Sequence, residues 1–317
     1  MTRLGIAGGI IQLVVVTGCA PLLTGVTRQV RARLEGRAGQ GIGQPWRDLR
    51  KLLRKEPVTP AGTSELFRIA PLVLLATTAV AAGVAPFVTT ASAIGPAADL
   101  FAVVALLALG TATLALAAID TGTAFGGMGA SREITIMALA EPTLLVAIFA
   151  LSVRAGSTNL AAIVTATVHN PAQVVSPAGV LAAAALALVT IAETGRLPVD
   201  NPATHLELTM VHEAMILEYA GPDLALIELA SSMRLAVFLG LLATLFAPWG
   251  IATTAAPLAL AAGTAVFAAK VGLLGATLAA GEVFTAKLRL FRVPELLAGS
   301  FLLALLAVAA SHFLGAA

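Results

Sequence analysis

Eight long apolar runs, near residues 4–26, 69–88, 99–119, 132–153, 178–194, 224–246, 255–280 and 295–314, constrain this chain more than any motif in it. A helix rises 1.5 Å per residue, so about 20 residues cross a hydrocarbon core roughly 30 Å thick. Lipid offers no partner to a free backbone N–H or C=O, so only helices and closed barrels span it; continuous apolar runs of this length are helical. The charge count agrees: Asp, Glu, Lys and Arg make up 11% of the residues, against about 25% in a soluble domain. The expectation is an all-α polytopic membrane protein, a single integral membrane domain over 1–317 with about eight transmembrane helices. The fifth run is short if it stops at Thr194. Abundant Ala and Gly let the helices approach closely. No small-residue cleavage pattern follows the first run, which reads as a retained span.

Basic residues orient the spans. The expected cytoplasmic loops are 27–68, 120–131, 195–223 and 281–294. The first holds ten of the nineteen Lys and Arg residues. Arg132, Arg196, Lys287, Arg289 and Arg292 fall on the same side, which makes fifteen; only Arg3 and Arg154 fall opposite. An excess of this kind marks the cytoplasmic face, so both termini are expected outside a cell (inner) membrane.

Ionisable groups inside spans are costly and point to function. Glu141 lies midway along the fourth run, and Pro142 after it leaves the Ala138 carbonyl without its helical partner. A carboxylate beside such an opening suits proton uptake and release; the plainer alternative is a hydrogen bond to a neighbouring helix. Glu193 ends the fifth run with Arg196 three residues on, placed for a helix-end ion pair. Glu228 and Arg234 share the sixth run roughly 120° apart, so each needs a partner from another helix or from water. Lys270, in the seventh, has no acid within one turn. Together these groups suggest a polar path through an apolar bundle.

Nearly a third of the acidic residues then crowd into AETGRLPVDNPATHLELTMVHEAMILEYAGP, residues 192–222: Glu193, Asp200, Glu207, Glu213 and Glu218. Pro198 and Pro202 are expected to break the fifth helix, and Asp200, Asn201 and Thr204 to accept N–H bonds beyond the break. Residues 205–219 suit a short helix, on which Glu207 and Glu218 return to nearly one face. The stretch is therefore an acidic cytoplasmic loop between the fifth and sixth helices. His205 and His212 are weak metal candidates, because Ile216 breaks an HExxH pattern; packing or surface roles fit them better. Cys19 is alone, and an iron–sulfur cluster normally needs four thiolates, so an electron-carrying centre belongs on a partner. The basic run through Arg47 and Lys51 lacks a set of aromatic residues to stack bases. It suits anionic headgroups and acidic partner proteins better than nucleic acid. No nucleophile–base pair, phosphate loop or cofactor fingerprint is present, and no catalytic, cofactor-binding or metal residue is expected on this chain.

The AETGRLPVD stretch, with EL and EY after it, resembles the signature of the membrane subunit called complex I subunit 1. It is carried here by Ala192, Glu193, Thr194, Arg196, Pro198, Asp200, Glu207, Leu208, Glu218 and Tyr219. GQGIGQPWRDLRKLLRKEPVTP is similar to the family's first cytoplasmic loop, with Gln44, Pro45, Asp48, Lys51 and the Lys55-Glu56-Pro57 run in place. SREITIMALAEP matches the start of its fourth span and puts Arg132 and Glu141 on family positions. The resemblance covers nearly the whole chain. After Asp200 the respiratory subunit carries additional acidic residues before the EL. This chain lacks them, and its stretch between EL and EY is three residues longer. That version looks like the homologous subunit of group 4 nickel–iron (NiFe) hydrogenases, the branch of formate hydrogenlyase subunit 4 and hydrogenase-4 component C.

The resemblance implies an anchor: a subunit that docks a cytoplasmic redox arm and links it to antiporter-like membrane subunits. The arm includes a small iron–sulfur subunit and a large subunit that carries the NiFe centre. Glu141, Glu193, Glu228, Lys270 and Arg234 are the expected proton or coupling residues. Arg196, Asp200, Glu207, Glu213, Glu218, Arg47 and Lys51 are the expected docking or coupling-loop residues. The alternative it implies is a chain lining the quinone chamber of an NADH- or other donor:quinone oxidoreductase; a third possibility is a free-standing ion transporter.

Overall fold

The computed structural model describes residues 3–200, 210–254 and 256–314. Its eleven α-helices are α1 (Arg3–Leu34), α2 (Gln44–Leu52), α3 (Glu65–Val84), α4 (Leu100–Asp120), α5 (Ala124–Ala155), α6 (Leu160–His169), α7 (Pro177–Glu193), α8 (His212–Ile216), α9 (Gly221–Phe246), α10 (Pro257–Phe284) and α11 (Val293–Leu314). Seven of them, α1, α3, α4, α5, α9, α10 and α11, are long and apolar enough to cross a membrane. The chain is thus a multi-pass helical membrane protein. The remaining run forms α7, whose 17 residues rise only about 26 Å.

Polar side chains start five of the helices. Ser64, Asp99, Thr123, Asn159 and Ser176 accept backbone N–H bonds in the first turns of α3, α4, α5, α6 and α7. These caps satisfy donors that the helix leaves free. The buried helix is α9, which packs on α1, α3, α7 and α10. α10 and α11 bury a much smaller share of their residues than α9 does.

The bundle has two ends. At one lie the start of α1 and the end of α11: the Ala93 N–H bonds the Gly5 carbonyl, and the Ser311 hydroxyl bonds the Ala150 carbonyl near the end of α5. Residues 88–90 join 252 at the same end. The other end carries residues 35–64, 121–123, 194–200, 210–220 and 285–292, where the basic residues concentrate.

Several sequence expectations need correction. The loop expected at 120–131 shrinks to 121–123, because α5 begins at Ala124. The loop expected at 27–68 contains the last turns of α1 and all of α2. α6 follows the fourth span unforeseen. The helix expected over 205–219 is confined to α8 among the described residues; Asn201, Pro202, Thr204, His205 and Glu207 lie outside them.

Candidate functional site

α7 ends at a glycine. Gly195 adopts φ +58°; its N–H bonds the Ala192 carbonyl at 3.1 Å, and the Arg196 N–H bonds the Ile191 carbonyl at 3.0 Å. This pairing closes a helix through a left-handed residue, a conformation open to glycine without steric cost. Pro198 therefore follows the break and does not cause it.

Three ion pairs tie the segment 193–200 to three other parts of the chain. Glu193 pairs with Arg234 of α9. Arg196 donates to Glu282 of α10 at 3.1 Å and to Thr27 Oγ1 of α1 at 3.3 Å. Lys287, just beyond α10, donates to Asp200 at 2.9 Å. Arg31 of α1 reaches the second Glu282 oxygen at 3.7 Å. Glu193, Asp200, Arg234 and Glu282 are all buried. The Glu193–Arg196 pair anticipated from spacing does not form, because the break at Gly195 turns Arg196 away from the face of α7. The cross-helix partner required for Arg234 is present, and it is Glu193.

The site lies deeper than the sequence suggests. Arg234 stands thirteen residues past the start of α9, about 20 Å along it, and also donates to the Leu107 carbonyl midway along α4. Glu193 is therefore enclosed near mid-bundle. From there a cavity of about 200 Å³ opens toward the basic end, lined by Glu133, Glu193, Asp200, Glu213, Glu228 and Arg234 among others. A smaller one of about 190 Å³ lies between α1, α2 and α9 and shares Thr24, Arg28, Glu228 and Ser232 with it.

Glu133, Glu282 and Lys287 belong to the site and were not singled out by sequence. Glu133 sits within SREITIM beside Arg132, and the charges acting on it are Glu193, Arg234 and Asp200. Arg132 itself donates to the Met210 carbonyl at 2.7 Å, which fixes the approach to α8. Gly129 allows that approach: a Cβ there would meet the Val211 carbonyl and the Ala214 Cβ at 2.9 Å.

Glu141 continues the line of acids. α5 runs unbroken through Pro142, yet one Glu141 oxygen is enclosed with no hydrogen-bond partner among the described residues. Glu193 and Arg234 are the charges that act on it. Beside it, Ser131, Ile134, Thr135, Ala138 and Pro142 form an exposed strip along the outer face of α5.

Other expected residues stand apart. Lys270 donates to the Ala247 and Trp249 carbonyls past the end of α9, where a cation suits the negative end of a helix. It joins neither Glu141 nor Glu228. Glu218 is half-buried in the turn after α8 and does not line the cavities, whereas His212 does line the larger one. Arg47 and Lys51 are exposed on α2. Tyr219 stacks on Phe67 with ring centroids 4.0 Å apart and donates to the Phe67 carbonyl at 2.9 Å. Burial, with Asp223 and Asp120 nearby, raises its phenol above the usual value and keeps it a donor.

Residues 8–312 match the family described as NADH dehydrogenase. Formate hydrogenlyase subunit 4 of Escherichia coli (strain K12) is 35% identical over 300 residues, covering 94% of this chain and 96% of the relative. Hydrogenase-4 component C of the same strain is 35% identical over 242 residues, covering 75% of this chain and 74% of the relative. A protein chain in the structure of the membrane-bound sulfane sulfur reductase, an archaeal respiratory membrane complex, shares the fold with a TM-score of 0.83 at 21% identity, covering 97% of this chain and 99% of that one.

Proposed function

This chain belongs to the NADH dehydrogenase family of membrane subunits, and from that premise we propose that it anchors and couples a hydrogenase-related complex. It docks a cytoplasmic redox arm, made of a large NiFe subunit and a small iron–sulfur subunit, and links it to antiporter-like membrane subunits. The chain itself holds no redox centre in this reading. The observation that carries it is the clamp on residues 193–200: three ion pairs bind one segment to α9, to α10 and to Lys287 just beyond it, and a hydrogen bond to Thr27 adds α1.

Charges this deeply enclosed feel each other strongly, because little water screens them. A change of charge in the docked arm perturbs the Asp200–Lys287 pair first. The disturbance passes through Glu133 and the cavity to Glu193–Arg234, and then to Glu141. The Glu141 oxygen that has no partner among the described residues is the one placed to exchange a proton. The exposed strip beside it, which carries Ser131, Thr135 and Ala138, suits close packing of a helix from a neighbouring membrane subunit, which would receive that proton. His212, Glu213, Leu217 and Glu218, which are exposed or half-buried, and the cavity mouth supply the arm-facing surface.

The quinone-chamber reading draws on the same cavity. The density of ionised groups in its lining favours water and protons over a lipid-soluble ring, since ligand pockets for such rings are mostly apolar.

The test is a native pull-down of the tagged chain in mild detergent, assayed for nickel and hydrogen-dependent dye reduction. Nickel with hydrogenase activity is the expected result. A nickel-free complex that reduces quinone would contradict the proposal in favour of the quinone-chamber reading.

A further inference from the structure

Helix α2 takes no part in the clamp, yet its surface is divided four ways. Pro45 and Leu49 are buried against α1 and α9. Opposite them Arg47, Arg50 and Lys51, with Arg54 in the closing turn, form an exposed basic crest spanning an arc of roughly 100°. One flank carries Gln44 and Asp48, bonded to each other at 2.9 Å, with Asp48 lining the smaller cavity. The other flank is apolar and uncovered: Trp46 is 40% exposed and Leu53 57% exposed.

The helix is held in place. A Cβ on Gly25 of α1 would meet the Ile42 carbonyl oxygen at 1.9 Å, so the backbone leading into α2 rests directly on α1. Gln29 accepts from the Gly41 N–H and donates to the Ala38 carbonyl, both at 2.9 Å. Trp46 Nε1 donates to the Gly18 carbonyl at 3.2 Å. Gly18 lies on the outer stripe of α1, one turn from exposed Val14 and one turn from exposed Leu22. The indole is thus continuous with a surface that faces acyl chains.

We infer that α2 binds an anionic phospholipid, with the Arg47–Arg50–Lys51–Arg54 crest on its phosphodiester and Trp46 and Leu53 set at the acyl boundary. Trp at the headgroup level beside clustered basic residues is how a helix lies in a membrane interface. An acidic protein seated on the crest would leave Trp46 and Leu53 unexplained, because their flank adjoins the lipid-facing stripe of α1. The inference does not depend on the coupling proposal.

The chain has two tryptophans, so Trp249→Phe leaves Trp46 as the only indole. The full-length variant is placed in phosphatidylcholine nanodiscs doped with acyl-brominated phosphatidylglycerol or acyl-brominated phosphatidylcholine at equal mole fraction. Trp46 emission is expected to be quenched about fivefold more efficiently by the anionic lipid. Neutralising the crest (R47Q, R50Q, K51Q, R54Q) brings the two lipids to parity, and a charge-retaining variant (R47K, R50K, R54K) keeps the preference, which separates charge from misfolding. Trp249, read in Trp46→Phe, shows no preference. Equal quenching with the crest intact, or a preference that survives neutralisation, overturns the inference. So does crest-dependent capture of an acidic protein without lipid preference.

Discussion

Removing Glu193 or Arg234 alone leaves the other charge enclosed without its counter-ion, a loss of about 3–5 kcal/mol for buried pairs of this kind. Glu193→Ala and Arg234→Ala are each expected to lower the melting temperature in detergent. A double Met replacement should recover most of the stability, since a well-packed apolar pair substitutes for a buried ion pair. Thermal unfolding of the three variants checks this; a destabilisation in the double variant equal to the sum of the two single losses would mean the two side chains act independently. The charged residues themselves were visible in the sequence. Their partners were not, because the three pairs join positions 41, 86 and 87 residues apart. Spacing offered Glu193 the nearby Arg196, and a single left-handed glycine withdrew it.

At the scale of elements, the outer strip of α5 makes a separate prediction. Ala138→Trp is expected to release neighbouring antiporter-like subunits from the purified complex while the redox arm stays bound, as small residues let membrane helices approach and an indole does not. Co-purification reads this directly; retention of every subunit would mean that the strip faces lipid. The same helix illustrates what its sequence hid. GTAFGGMGAS has four glycines in ten residues and reads as a loop, yet α5 begins within it at Ala124. Two of those glycines are there for close contact: a Cβ on Gly126 would meet the Ala118 carbonyl at 2.4 Å, and one on Gly129 would meet α8. Packing overrides local propensity at such places. The long spans were legible because hydrocarbon thickness leaves so little choice of length. α7 ended where its apolar run thins, although Gly195, and not Pro198, ends it.

Across the whole molecule, the membrane architecture and the family are firm, and the acids fall into an order that no single segment reveals. Asp200, Glu133 and Glu193 come from two helices and a broken segment and line one cavity, and Glu141 lies roughly two turns further along α5 from Glu133. Lys270, which the sequence set on the same path, serves the end of α9 instead. The central claim is that a signal at residues 193–200 reaches Glu141 and leaves as a proton. The direct test is Glu141→Gln in membrane vesicles holding the intact complex, with hydrogen-dependent dye reduction and proton-gradient formation measured side by side. The expected result is unchanged assembly and dye reduction, with gradient formation reduced at least about tenfold through loss of the proton-exchanging group. A full gradient at normal turnover in that variant would contradict the coupling account.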